Sequence, residues 1–481
     1  MAHVVDEQIE DDVLGKIGEC VRKTEPPYFF GFSVLTVALK SAVSLAERLK
    51  KLYPASIICF GGVHPSADPE EVLSFPQVDV VIRGEGETPL IELYRCVKEG
   101  RDFTHIKNLS YRHKGRFVHN EIGPIEDLTR LPAFPYHHFT SKRYDLGFIM
   151  SSRGCPHNCI FCSNRVTTGR RYRFRPVEAV IGKIDMLYHK YQRRYIGFFD
   201  DNLLVNRDRI YALMEEIKKR GLHKKMTFGF QARGDNVDRK LLEDLYASGF
   251  RMGSFGLETA SERIMEIIKK GETVAQCAEA VRMAKEVGFH VDATFIYGLP
   301  GETHEDRMAC VRMSKDLGLD AVRFNNATPY PGTELYRMAK SQGRLYVKGL
   351  YENFLSVSTF SENPFRPIPF SYVPEGNTEQ EIRRDILFSY FSHYLNIGRL
   401  KLIFAQTGPQ SGWFNAGERL LEILKKIPAL IALAFMLFVK LVQLFYYSVM
   451  KKETAISMRF FLGIFGGLWK GGNPGTSSER R

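Results

Sequence analysis

The chain has 481 residues, with 67 Lys and Arg against 55 Asp and Glu and a formal charge of +12. Hydrophobic residues make up 44% and charged ones 25%, which excludes a mainly disordered or fibrous chain and leaves ample length for several buried cores. The basic balance points first to nucleic acid or an anionic membrane, eight cysteines are too few for a disulfide scaffold, and the acidic, non-apolar start reads as a cytoplasmic chain without a secretory signal.

Over residues 1–106 short apolar runs alternate with helical patterns. A strand at 28–32 leads into Ser33-Val34-Leu35-Thr36 and a helix over 38–52. A second strand at 57–60 ends in Gly61-Gly62, a helix begins at 69, and a strand at 78–82 runs into Gly84-Glu85-Gly86-Glu87. This rhythm indicates βαβ units in a doubly wound parallel sheet. Residues 2–6 read as the end of a strand whose sheet partners are missing. Residues 107–143 form a linker, with a hairpin-like patch at 111–118 and Leu131-Pro132-Ala133-Phe134-Pro135.

A second βα series fills 144–344. Its strands are predicted at 147–151, 195–200, 226–231, 251–257, 290–296 and 321–328, with helices over 177–191, 207–220, 239–247, 274–287 and 305–317. Six such units fit a partial (β/α)6 barrel, which places catalytic groups at the strand C-terminal ends. From 345 onward the chain reads as mostly helical. The fold class is therefore α/β, a doubly wound sheet followed by a partial barrel and a helical C-terminal region.

The end of the first barrel strand carries Cys155-Pro156-His157-Asn158-Cys159-Ile160-Phe161-Cys162, a C-x3-C-x2-C pattern. A structural zinc site prefers four closed ligands, usually in two separated pairs. Three thiolates on one loop suit three irons of a [4Fe–4S] cluster and leave the fourth iron open to a small chelating molecule. A zinc loop is the rival reading. Cys20, Cys59, Cys96, Cys277 and Cys310 lie in apolar patterns and read as core.

The motif resembles the radical S-adenosylmethionine (SAM) superfamily. In that family the open iron holds the amino and carboxylate groups of SAM, and an electron from the cluster cleaves SAM to a 5′-deoxyadenosyl radical. The resemblance implies SAM contacts from Phe161 beside adenine and from Asp200 or Asp201 on the methionyl amine. It implies further contacts from Arg233 on the carboxylate, Glu258 on the ribose, and Ile296 and Tyr297 along adenine. Each has a plainer reading as well. Asp200, Asp201 or Asn202 can cap a helix, and Arg233 and Glu258 can pair with each other or with neighbours. Arg173 and Arg175 read either as anion contacts or as solvated charge.

One branch of this superfamily carries an N-terminal cobalamin (B12)-binding domain, and the first hundred residues resemble it. Ser33, Leu35, Gly61 and Gly62 fall at strand C-termini of an open sheet, the usual ligand crevice, and small residues there allow close approach. The rival is a generic βα turn. No D-x-H-x-x-G motif offers a lower cobalt ligand, and His64 reads as a loop hydrogen-bonding residue. On this resemblance the first strand and helix of the domain are missing.

Residues 399–481 hold 12 Lys and Arg against four Asp and Glu, +8 of the chain's +12. Basic pairs Lys425-Lys426 and Lys451-Lys452 bracket the apolar segment 427–450, and Trp413 and Trp469 flank it. A charge such as Lys440 near the middle of a span costs about 2.5–3.5 kcal/mol. The segment therefore reads as an interfacial helix on anionic lipid rather than a span; a buried helix over the barrel mouth is the alternative.

The resemblance is closest to the branch with hopanoid and bacteriochlorophyll-type methylases and the anaerobic magnesium-protoporphyrin oxidative cyclase. It implies methylation of an unactivated carbon in a lipophilic isoprenoid or tetrapyrrole substrate, with a [4Fe–4S] cluster, SAM and cobalamin as cofactors. A flavodoxin or ferredoxin would supply electrons, and no nucleic acid is expected. Radical oxidation, cyclisation or rearrangement of such a substrate is one rival; a cobalamin- or redox-sensing binding protein is another.

Overall fold

The computed structural model describes residues 3–394 except 140, 142, 357–358, 360–361 and 364–365, together with residues 435 and 438–445. Thirteen strands are described: β1 (Phe29–Ser33), β2 (Ile57–Gly61), β3 (Val80–Ile82), β4 (Leu109–His113), β5 (Arg116–His119), β6 (Phe148–Ile149), β7 (Ser152–Arg153), β8 (Arg173–Phe174), β9 (Tyr195–Phe198), β10 (Thr227–Ala232), β11 (Phe250–Glu258), β12 (His290–Tyr297) and β13 (Ala321–Asn326).

The first sheet runs β1-β2-β3-β4-β5, with parallel pairing up to β3 and antiparallel pairing beyond it. Two expectations are corrected here. The hairpin at 111–118 belongs to this sheet and not to a linker, because β4 pairs with β3 and covers an otherwise open edge. Residues 3–6 form no strand. Helices Leu39–Leu52 and Pro69–Ser74 cover one face with Val43, Leu49, Val72 and Leu73, and Tyr351 and Phe354 from beyond the barrel complete that core. Helix Glu87–Glu99 covers the other face through Leu93 and Cys96. The sheet thus takes part of its core from later chain.

The second sheet is an open barrel of six parallel strands in the order β13-β12-β11-β10-β9-β6. Alternation decides which side chains face out. Val291, Ala293 and Phe295 of β12 enter the core beneath the helices, whereas Asp292, Thr294 and Ile296 face the barrel interior. Helix Val274–Val287 starts at a capping box made by Thr273 and Gln276 and turns off at Gly288, in a left-handed conformation that glycine tolerates best. Helix Glu379–Tyr394 packs on helix His304–Asp316 and β13. Its buried Asp385 accepts from Arg307 Nε at 2.7 Å and Arg384 Nη2 at 2.9 Å.

Most of the apolar tail lies outside the described residues, including Trp413 and Trp469. Among the described ones no helix is long and apolar enough to cross a membrane. Lys440 is buried and donates to the Thr359 carbonyl at 2.7 Å, and burial pulls its ammonium down to about 8. Phe435, Phe438, Val442 and Phe445 are exposed on the same segment.

Candidate active site

The cysteine loop is held at three places. At its base, β7 pairs with β8, so residues 154–172 leave and return through a two-stranded ribbon. Ile160 is buried at its centre: its N–H donates to the Ile268 carbonyl at 3.1 Å, and its carbonyl accepts from Leu335 N–H at 2.9 Å. Gly154 has φ +82°, and a Cβ there would sit 2.4 Å from the Arg171 carbonyl oxygen, so only glycine fits. Cys155, Cys159 and Cys162 are then left half-buried at the barrel's C-terminal end; Cys59, Cys96, Cys277 and Cys310 are buried as expected, whereas Cys20 is only half-buried on a helix with no buried residue.

Burial raises all three loop thiols, that of Cys162 to about 11. Arg233 and Lys270 oppose this at Cys155 and Cys159. Cations beside two of the three thiols suit a cluster whose ligands must ionise to bind iron. Among the described residues no three His, Cys, Asp or Glu side chains are gathered around a point where one ion could sit. A cubane needs no such gathering, because its irons occupy separate corners, one thiolate each. Three thiols on one short loop fit three corners of a cluster with one open iron.

The strand ends bring most of the expected residues to these thiols. Asp201 accepts from Gly154 N–H at 3.1 Å and lies beside Cys155 and Cys162. Arg233 forks onto Asp235 at 3.0 and 2.8 Å and donates to the Lys270 carbonyl at 2.6 Å. Glu258, with φ +61°, receives Lys270 Nζ at 2.9 Å. Lys270 is almost wholly buried; burial would lower its pKa, but Glu258 and Glu272 raise it and keep it charged. So Arg233 and Glu258 pair with neighbours and also border the thiols. Phe161 packs in part against the core, and Ile296 faces the interior.

Two expected residues point elsewhere. Asp200 is fully buried and accepts from Ser151 Oγ at 2.8 Å, from Ser151 N–H and from Ser152 Oγ, which fixes the loop's entry and leaves Asp201 as the carboxylate near the thiols. Tyr297 is fully buried in the outer core, where its hydroxyl donates to the Arg307 carbonyl at 3.0 Å and meets Ser389 Oγ at 2.8 Å. Its side chain is on the wrong face of β12 to reach adenine; the parity of Asp292 and Thr294 already carries that signal. Lys270 and Glu272 were missed, because Lys269-Lys270 reads locally as solvated charge.

The first sheet presents its strand C-termini to this loop. Helix Val63–Ala67 packs on helix Asn164–Thr167 of the cysteine loop, and Ala67 and Val166 close on Gly332, where a Cβ would stand 3.2 and 2.6 Å from them. Glu85 receives both Arg173 nitrogens at 2.7 and 2.9 Å, and Glu85 and Glu87 pair with Arg153. Arg173 is thus a partly buried interface cation, and Arg175 donates to the carbonyls of Leu131 and Pro132. Gly62 has φ +99°, and a Cβ there would lie 2.9 Å from Val34 N, so the β1 and β2 ends meet backbone to backbone. Ser33 and Leu35 remain exposed beside it, Leu35 at 56%. Gly61 borders the same mouth. This small-residue rim fits cobalamin by close backbone approach. His64 offers no nitrogen to it: the ring is fully buried against Tyr351, with Nε2 3.4 Å from Glu71.

A family model described as the Radical SAM superfamily matches residues 149–313, and one described as the B12 binding domain matches residues 16–94. An uncharacterized methyltransferase of Pyrococcus horikoshii is 33% identical over 343 residues, covering 70% of this chain and 74% of that protein. The chain belongs to the radical SAM superfamily. As a radical SAM enzyme with a B12-binding domain, it takes a [4Fe–4S] cluster, SAM and cobalamin. An anaerobic magnesium-protoporphyrin IX monomethyl ester cyclase of Cereibacter sphaeroides is 28% identical over 74% of this chain, which spans 60% of that protein's length. The solved cobalamin-dependent SAM radical enzyme OxsB shares the fold, with a TM-score of 0.63 at 16% identity over 96% of this chain and 78% of that one.

Proposed function

We propose that this radical SAM enzyme methylates an unactivated carbon of a lipophilic substrate, an isoprenoid lipid or a tetrapyrrole. The observation that carries this reading is the docking of the glycine-rimmed crevice onto the cysteine loop through helices Val63–Ala67 and Asn164–Thr167. Bound in these two places, the cofactors supply an adenosyl radical to remove hydrogen and a methyl group to replace it. The chain's own residues do the rest. Arg233 and Lys270 balance the anionic thiolates, and Asp201 places a carboxylate where an ammonium can pair with it. Glu85, Glu87, Arg153 and Arg173 tie the first sheet to the β7–β8 ribbon at the base of the cysteine loop. The methyltransferase among the relatives supports methyl transfer, and the cyclase acting on a magnesium porphyrin supports this substrate class, both by analogy.

The lipophilic assignment draws also on exposed Phe435, Phe438, Val442 and Phe445 and on the basic tail, which suit peripheral attachment to an anionic membrane face. The test is anaerobic incubation of reconstituted protein with methyl-deuterated SAM and lipid or pigment extracts. Deuterated methyl groups should appear in an extractable apolar product. Products altered in oxidation level but free of label would instead favour the oxidative reading. Flotation with anionic liposomes checks attachment, and a chain cut before Lys425 should no longer float.

A further inference from the structure

A cavity of about 750 Å3 opens where the linker crosses β6, the exposed edge of the barrel. Its walls are aromatic. Phe134 stacks on Phe139 with centroids 4.9 Å apart, and Phe148 meets Phe199 edge-on at 5.4 Å, with Tyr136 and Tyr144 beside them. Phe148 and Phe199 lie on the barrel's interior side, and Ser152 and Arg153 lead directly into the cysteine loop. The volume is that of a site for a small organic molecule.

The charges around it are unevenly matched. Arg153 is neutralised by Glu85 and Glu87. Asp6 and Asp145 stand at the Tyr144 end, and Asp145 already accepts from Gly147 N–H and faces Arg193. At the other end Lys183 lines the cavity without a hydrogen bond or a carboxylate within 4.0 Å among the described residues, and Arg175 beside it meets only carbonyls. Asp200, whose charge also acts on Lys183, is engaged by Ser151 and Ser152. Burial and Arg175 pull the Lys183 ammonium down to about 8, so near pH 7 it is still mainly protonated and lacks an anion.

We infer that this cavity holds the non-reacting part of the substrate, an apolar, flat molecule whose carboxylate, phosphate or similar anionic group pairs with Lys183. The assignment rests on the proposed function for the word substrate, and on the cavity alone for the ligand chemistry. An aromatic-walled slot selects a planar body, and a desolvated cation without a partner selects its charge. Entry at the sheet edge lets a long molecule reach the thiols from the side.

The probe pair is anilinonaphthalene sulfonate and its neutral parent phenylnaphthylamine, titrated by fluorescence at low salt and pH 7 into the full-length reconstituted protein. Lys183→Met should weaken the sulfonate about tenfold and leave the neutral probe within about twofold, while Lys183→Arg keeps both. Lys183→Gln, a second neutral variant, should repeat the Lys183→Met result. Unchanged sulfonate binding in both neutral variants, or equal loss of both probes, overturns the assignment. Reductive SAM cleavage by the wild-type protein is scored separately. Its failure counts against the functional reading, and the two titrations still judge the cavity.

Discussion

At the scale of single residues, Lys270 shows how the site is held. It is buried between Glu258 at 2.9 Å and Glu272 at 3.6 Å, beside Cys159. Lys270→Met would leave buried Glu258 without its cation and Glu272 with only Arg233, 3.9 Å away, and loss of one partner of such a set costs about 3–5 kcal/mol. Chemical denaturation should show a loss in that range; a change under about 1 kcal/mol would mean that the acids are solvated. Lys183 gives the opposite sign. Its folded pKa lies below the ordinary value of 10.5, so the unfolded chain binds more protons between about 8 and 10.5 and stability rises with pH across that window. Lys183→Met should therefore be the more stable protein below pH 8, by about 1 kcal/mol after solvent screening. The gap should close toward pH 10.5, as thermal melts across pH would show.

At the scale of elements, the crevice depends on the β1 and β2 ends. Gly62→Ala places a Cβ 2.9 Å from Val34 N in a left-handed backbone, a strain of about 1–3 kcal/mol. Cobalamin retention on gel filtration should fall while cluster iron stays unchanged, because the cysteine loop is held by its own ribbon. Loss of iron in parallel would mean that the two sheets share one support. The βα rhythm, the six barrel strands and the cysteine loop were legible because each is encoded by local period and spacing. The hairpin's place in the first sheet was not, since β4 pairs with β3 from 27 residues away. Nor was the completion of the first core by Tyr351 and Phe354, which come from beyond the barrel.

The same limit explains the site. Cys155, Cys159 and Cys162 could be read from one short segment, whereas Lys270 acquires its role only when β11 brings Glu258 beneath it. Asp200 and Asp201 are neighbours in sequence with opposite fates, one buried against Ser151 and the other facing the thiols, and only the packed loop separates them.

At the scale of the whole molecule, four charged residues tie the crevice to the cluster loop. Glu85 and Arg173 are nearly buried, with side-chain exposures of 7% and 11%. Arg173→Ala leaves Glu85 short of its main partner and should loosen the two sheets together, read as faster proteolysis of residues 120–147 with the barrel intact. Two-thirds of the +12 charge belongs to residues 399–481, where basic pairs bracket the apolar segment. In the proposed reaction one substrate carbon loses a hydrogen atom and gains a methyl group in the same turnover. Quantifying both coproducts of SAM in one anaerobic reaction tests it most directly. 5′-Deoxyadenosine and S-adenosylhomocysteine should form in equal amounts, both dependent on cobalamin; 5′-deoxyadenosine alone, formed equally without cobalamin, would mean that no methyl group is transferred.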